Sequence, residues 1–214
     1  MIQTKNPWVL ADKPSEISVD ELARIDKYES GEYIATTKVD GYRALVDFSD
    51  EITVSSRRDL AKGGPSKIPI KIIDSVNQFK EENSIAEGTR LDAEWTSLRA
   101  SSLGREKLFI FGIYFLGDKY LGKKPESYRF DLIKEFKYND DIVLVDNVDD
   151  NYVDFYFKSK LDPIYEGIVL KYKNSILNGD REKCTDNPFW LKCKWRAGDA
   201  GDTLRDDSNI TILE

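Results

Sequence analysis

Two strand-forming runs joined by a tight bend constrain this chain more than any other feature. Tyr33-Ile34-Ala35-Thr36-Thr37 leads in and Ala44-Leu45-Val46-Asp47-Phe48 leads out. Both are rich in residues that suit a pleated, half-buried surface. Between them lies Lys38-Val39-Asp40-Gly41-Tyr42-Arg43, so the chain turns at Val39–Tyr42 and presents Lys38 just before the bend. Asp-Gly between strand-like runs is a strong hairpin signal, and the nearby charges then need no role beyond solvation. The same stretch also suits a nucleophilic lysine, with Asp40 and Arg43 placed to bind a nucleotide. By itself it does not choose between the two.

The rest of the sequence narrows the choice. There is no histidine among the 214 residues. That removes Ser-His-Asp and Cys-His catalysis and histidine-ligated zinc, so chemistry must rest on Lys, Arg, Asp, Glu, Tyr or a bound metal. Apolar content of 40% with 12% aromatics suits a packed core. The length allows one large domain or two small ones. No apolar run approaches the ~20 residues that span a bilayer, and Met1–Pro7 lacks the apolar core of a signal peptide. The expected location is the cytoplasm, or the host cytoplasm for a viral protein, with no membrane contact. Cys184 and Cys193, the only cysteines, are expected to be reduced. A net charge of −7 argues against a wholly basic nucleic-acid coat. A local basic groove is still available, because Lys171 to Arg196 holds seven basic residues against three acidic ones.

In chain order, Ser18-Val19-Asp20-Glu21 reads as a capping box that opens a helix through about Lys27, with Leu22 and Ile25 inward. After the hairpin, Ile52–Ser56 reads as a strand running into Arg57-Arg58. Lys62-Gly63-Gly64-Pro65-Ser66-Lys67 lacks phosphate-loop spacing and is expected to be a plain loop. Ile72, Ile73, Val76 and Phe79 predict a helix near 70–82. Leu91–Trp95 reads as a strand, and Leu108–Phe115 as a strand buried on both faces. Pro125 precedes a helix with Phe130, Ile133 and Phe136 inward. Ile142–Val145 reads as a short strand, Val153, Tyr156, Phe157 and Leu161 as helical spacing, and Glu166–Lys171 as a strand. In the last strand, period two puts Phe189, Leu191, Cys193 and Trp195 on a core face. Trp190, Lys192, Lys194 and Arg196 then face a cleft. Lys171, opposite in parity to Glu166, is expected to be solvated or to face nucleic acid. The whole is expected to be one α+β domain.

Together these stretches resemble the covalent nucleotidyltransferase superfamily, and within it the ATP-dependent DNA ligases. Lys38–Arg43 matches the KxDGxR signature, Ser56-Arg57-Arg58 the downstream arginine motif, and Leu91-Asp92-Ala93-Glu94 the motif usually written LDGE. Phe109–Phe115 resembles the aromatic-bearing strand that follows. Glu166–Lys171 matches EGxVxK, and Trp190–Lys194 matches WLKxK. The motifs stand in the family's order and span nearly the whole chain. The departures are Ala93 for the usual glycine, Gly112 for the usual acid after the stacking aromatic, and the short stretch after the last motif, where the family carries an OB-fold.

The resemblance implies an ATP-grasp-like adenylation fold, with two antiparallel sheets flanked by helices around a nucleotide cleft. It divides the chain into an adenylation domain over 1–196 and a tail over 197–214 without the OB-fold, which either belongs to a longer natural chain, is supplied by another chain, or is absent from a minimal nucleotidyltransferase. It implies that Lys38 attacks the α-phosphate of ATP to form lysyl–AMP. AMP then passes to the 5′-phosphate of a nicked duplex, and a 3′-hydroxyl seals the nick, in DNA repair or replication. Lys192 and Lys194 would assist catalysis and bind phosphate, and Asp40 would serve the joining step. Thr37, Arg43, Arg57, Glu94 and Phe111 would bind the nucleotide, Phe111 by stacking on adenine. Glu166, with Glu94, would hold Mg²⁺. The protein is expected to act as a monomer on nicked DNA. The alternatives are RNA ligation, GTP-dependent capping, or a nucleotide- or DNA-binding module weak in catalysis.

Overall fold

The computed structural model describes residues 12–56, 70–96, 106–177 and 186–194. In chain order the elements are β1 (Lys13–Glu16), α1 (Val19–Tyr28), β2 (Tyr33–Val39), β3 (Tyr42–Phe48), β4 (Ile52–Ser56) and α2 (Ile70–Glu82). There follow β5 (Arg90–Thr96), β6 (Lys107–Leu116), β7 (Lys119–Tyr120), α3 (Glu126–Lys134), β8 (Ile142–Leu144) and β9 (Asn147–Val148). The last are α4 (Tyr152–Ser159), β10 (Tyr165–Tyr172) and β11 (Asp186–Lys194). Arg57, Arg58, the loop at 62–67, Trp195, Arg196 and the stretch 197–214 lie outside the described residues.

The strands form two sheets, ordered β1-β11-β10-β2-β9 and β4-β3-β5-β6-β7, with β8 added beside β6. Most pairs are antiparallel as expected, but β1 runs parallel to β11 and β8 parallel to β6. The hairpin at Val39–Tyr42 therefore does not close a two-stranded ribbon. It carries the chain from one sheet into the other, with β2 pairing to β10 and β3 to β5.

Each sheet buries its outer face under helices. Ala35, Ile168, Leu170 and Cys193 pack with Leu22 of α1 and with Tyr152 and Tyr156 of α4. The capping box forms: Ser18 N donates to Glu21 Oε2 at 2.7 Å, and Glu21 N donates to Ser18 Oγ at 3.2 Å. On the other sheet, Ala44, Val46, Phe48, Leu91 and Ala93 pack with Ile72, Val76 and Phe79 of α2 and with Phe130 and Ile133 of α3. The inner faces meet where Leu45 and Tyr114 of one sheet touch Trp190 of the other. The nucleotide-sized cleft opens beside that contact.

Two parity expectations need correction. Phe189 does not join the core: it is 52% exposed and leans on Tyr172 with ring centroids 6.0 Å apart. The helix expected from 153/156/157/161 spacing instead buries Tyr152, Tyr156 and Ser159, which leaves Phe157 and Leu161 exposed. Tyr152 wins the inward place because its hydroxyl is bonded by the Gly31 and Tyr33 N–H groups at 3.0 and 3.1 Å.

Candidate active site

The site is organised by a bulge in β10. Tyr165 pairs with Val39 and Gly167 with Lys38, so Glu166 is the extra residue. Gly167 also pairs with Lys194 on the other side. A bulge re-aims a side chain, and here it turns Glu166 toward both neighbouring strands. Its Oε1 accepts from Lys38 Nζ, and its Oε2 accepts from Lys194 Nζ at 3.2 Å. Only glycine serves as the pivot: φ at Gly167 is +154°, and a Cβ there would lie 2.1 Å from the Cys193 carbonyl oxygen. At the hairpin, a Cβ on Gly41 would meet the Trp95 carbonyl oxygen at 2.5 Å. Close approach, rather than a left-handed turn, therefore selects that glycine.

Beyond the bulge the strands keep register. Val169 pairs with both Thr36 and Lys192, and Lys171 with both Ile34 and Trp190. Lys38, Lys171, Trp190, Lys192 and Lys194 accordingly line one cleft of about 310 Å³, a volume within the range of ligand sites. Lys171 is the main correction. It is only 3% exposed rather than solvated, because the extra residue at Glu166 shifts the alternation by one.

The opposite wall is the inner face of the second sheet. Arg43 and Glu94 are cross-strand partners, and with Phe111 they face the lysines. Arg43 is held by protein: Nε and Nη2 donate to the two Asp92 carboxylate oxygens at 2.9 and 2.6 Å. Nη1 donates to the Asp12 carbonyl at 2.8 Å, and Nη2 also reaches the Tyr114 hydroxyl at 2.9 Å. Such a bidentate pair fixes orientation as well as charge. Lys192 pairs with Glu16 of β1 at 3.7 Å. Thr37 lines the cleft, with its backbone N–H on the Asp146 carbonyl at 2.9 Å. Asp40 sits at the bend, and its N–H donates to the Ile164 carbonyl at 2.8 Å.

Glu166 and Glu94 are driven in opposite directions. Burial disfavours the charge on Glu166, but the Lys38 and Lys194 ammoniums outweigh it and hold its carboxyl below the usual range. Burial pushes the Glu94 carboxyl up to about 8, against the pull of Lys38 and Arg43. Glu94 keeps some surface toward the cleft and is enclosed by protein elsewhere. Burial thus favours its protonated, hydrogen-bonding form. Of the two acids expected to hold Mg²⁺, Glu166 is the one its neighbours keep ionised. Among the described residues no cluster of three acidic or sulfur ligands exists. That is compatible with Mg²⁺, which binds through one or two carboxylates plus substrate phosphates.

No protein-family model matches the sequence, and no curated protein matches it in sequence. Solved structures do match in three dimensions. The ligase domain of M. tuberculosis LigD superposes with a TM-score of 0.64 at 15% identity, over 88% of this chain and 60% of that one. A mycobacterial DNA ligase D complexed with ATP superposes at 0.62 and 16% identity, over 90% and 66%. The chain has the fold of a ligase domain. A Lig E DNA ligase also shares this ligase fold, with a TM-score of 0.57 and 12% identity over 86% and 68%. The present chain thus spans 60 to 66% of the length of the two ligase D structures.

Within the ligase fold, the predicted residues Thr37, Lys38, Arg43, Glu94, Phe111, Lys192 and Lys194 all line the cleft, and Glu166 bonds two of them. Arg57 lies outside the described residues. Sequence reasoning missed Asp92 and Tyr114, which hold Arg43, and the inward position of Lys171. An isolated glycine within a strand pattern, Gly167, was the available signal for the bulge.

Proposed function

We propose that this chain is the adenylation module of an ATP-dependent DNA ligase. The observation that carries the reading is the Lys38–Glu166–Lys194 cluster, built by a bulge at the mouth of a cleft lined with cations on one side and Phe111 on the other. A triphosphate suits the lysines, and the aromatic ring suits a base.

In this mechanism Lys38 Nζ attacks the α-phosphorus of ATP. The N–P bond forms, the Pα–O bond to pyrophosphate breaks, and the ammonium protons are lost by way of Glu166, which already accepts one of them. The attacking amine must be neutral, so the step needs a proton acceptor beside it, the place Glu166 occupies. Lys194 and Lys192 offset charge developing on the phosphate. Mg²⁺ held at Glu166 would supply further neutralisation of phosphate charge. Glu94, kept protonated, offers a hydrogen bond to the sugar, and Phe111 offers its face to the base. AMP then moves from Lys38 to the 5′-phosphate of a nick, and the 3′-hydroxyl displaces it. Arg43 shapes the wall, and Asp40 at the bend faces the joining step.

Incubation with labelled ATP or GTP, followed by denaturing electrophoresis, tests the first step. Covalent label from ATP is the expected result, and label from GTP alone would overturn the ligase reading. Sealing of matched nicked DNA and RNA duplexes then tests the substrate, with DNA expected.

A further inference from the structure

A buried ion cluster extends from the base of the cleft, where Lys171 lines it, and takes no part in the chemistry above. Lys171 Nζ donates to Glu126 Oε1 at 3.0 Å, and Arg129 Nη2 pairs with Glu126 Oε2. All three residues are nearly inaccessible to solvent. Burial disfavours charge on Glu126, but Arg129 and Lys171 outweigh it and keep its carboxyl below the usual range. Buried ions of this kind are weak evidence for stability, since apolar replacements often do as well. Their geometry calls for another account.

That geometry runs to Phe111. In the β5–β6 ladder Asp92 pairs with Gly112 and Ala93 with Ile110, so the register skips Phe111. A bulged residue is not fixed by the ladder, and Phe111 is the aromatic wall of the cleft. Lys171 supplies the missing tether. Its Nζ donates to the Phe111 carbonyl at 2.9 Å and sits 5.3 Å from the Phe111 ring and 4.4 Å from the Trp190 ring. Lys171 thereby joins β10 of one sheet to β6 of the other at the base of the cleft. What aims it is Glu126, at the start of α3, whose N–H is itself tied to the Ser175 carbonyl at 2.8 Å.

We infer that Glu126 is a positioning residue for nucleotide binding: acting through Lys171, it holds the bulged Phe111 as one wall of the base slot. The inference rests on the adenylation reading. Loss of Glu126 lets Lys171 swing and Phe111 drift, which weakens ground-state binding of the base without touching the phosphorus chemistry at Lys38. The signature is a raised KM for ATP at nearly constant kcat, unlike a general loss of folded protein, which lowers the apparent kcat.

A double-mutant cycle on self-adenylation tests this. Glu126→Gln is expected to raise the ATP concentration that gives half the maximal single-turnover rate, the KM of this assay, about tenfold, with that maximal rate, its kcat, within about twofold. Lys171→Met leaves the Glu126–Arg129 pair balanced and is expected to show the same rise. The double variant should be no worse than Lys171→Met alone. Glu126→Asp, which keeps the charge, should recover most of the wild-type KM, and it replaces Glu126→Gln in the cycle if that variant does not fold. An unchanged KM in Glu126→Gln, or additive effects in the double variant, overturns the inference. Failure of the wild-type chain to label with ATP at all would instead overturn the adenylation reading.

Discussion

At the scale of single residues the account depends on two carboxylates driven apart by their surroundings, a common mark of functional sites. Glu166 lies between two ammoniums and is kept ionised. Glu166→Gln removes the charge that holds Lys38 and Lys194 together, and is expected to slow covalent labelling by about two orders of magnitude or more, read as a single-turnover rate. Glu94 is the opposite case. Its folded pKa of about 8 lies above that of an exposed glutamate, so the folded chain holds a proton that the unfolded chain sheds. Stability therefore falls as pH rises from about 4.5 to 8 and levels off above that. Glu94→Gln lacks this loss. Relative to wild type it should gain about 1–3 kcal/mol between pH 5 and pH 8 in urea unfolding. A constant difference between the two proteins across that range would mean that Glu94 is ionised in the native cleft.

Among the elements, the strands were readable and the bulges were not. Period-two alternation placed Trp190, Lys192 and Lys194 on the cleft face and Leu191 and Cys193 on the core face, as the structure has them. It failed at Lys171 because one extra residue at Glu166 inverts the parity of everything after it. It also failed at Phe189, whose expected core place is exposed surface, beside the point where the β1–β11 register shifts. The capping box at Ser18 and the helix at α2 were legible because their signals are local. Asp92, Tyr114 and Glu126 were not, since their partners are strands away in sequence. The bulge itself makes a prediction. Gly167→Ala forces a Cβ against the Cys193 carbonyl at 2.1 Å and should cost about 2–4 kcal/mol of stability by chemical denaturation. A well-folded Gly167→Ala with unchanged stability and labelling would show that the bulge is not the pivot.

For the whole molecule, the hairpin that opened the sequence reading is a crossover between sheets. β2 carries Lys38 on one wall and β3 carries Arg43 on the other, with Asp40-Gly41 at the bend between them. The cleft exists because both sheets bury their outer faces under helices while their inner faces meet beside it around Leu45, Tyr114, Leu177 and Trp190. Among the described residues no helix is long and apolar enough to cross a membrane. Composition and motif order made the architecture readable in advance. The sheet-to-sheet packing that sets the width of the cleft was not, because it is decided by side chains far apart in the chain. All of the chemistry proposed here requires one covalent event at one amine. Intact-mass and peptide mapping after incubation with ATP and Mg²⁺ measure it directly. The expected result is a single AMP on the peptide containing Lys38, and none on Lys38→Arg. An adduct that persists in Lys38→Arg, or that maps to another residue, would contradict the account.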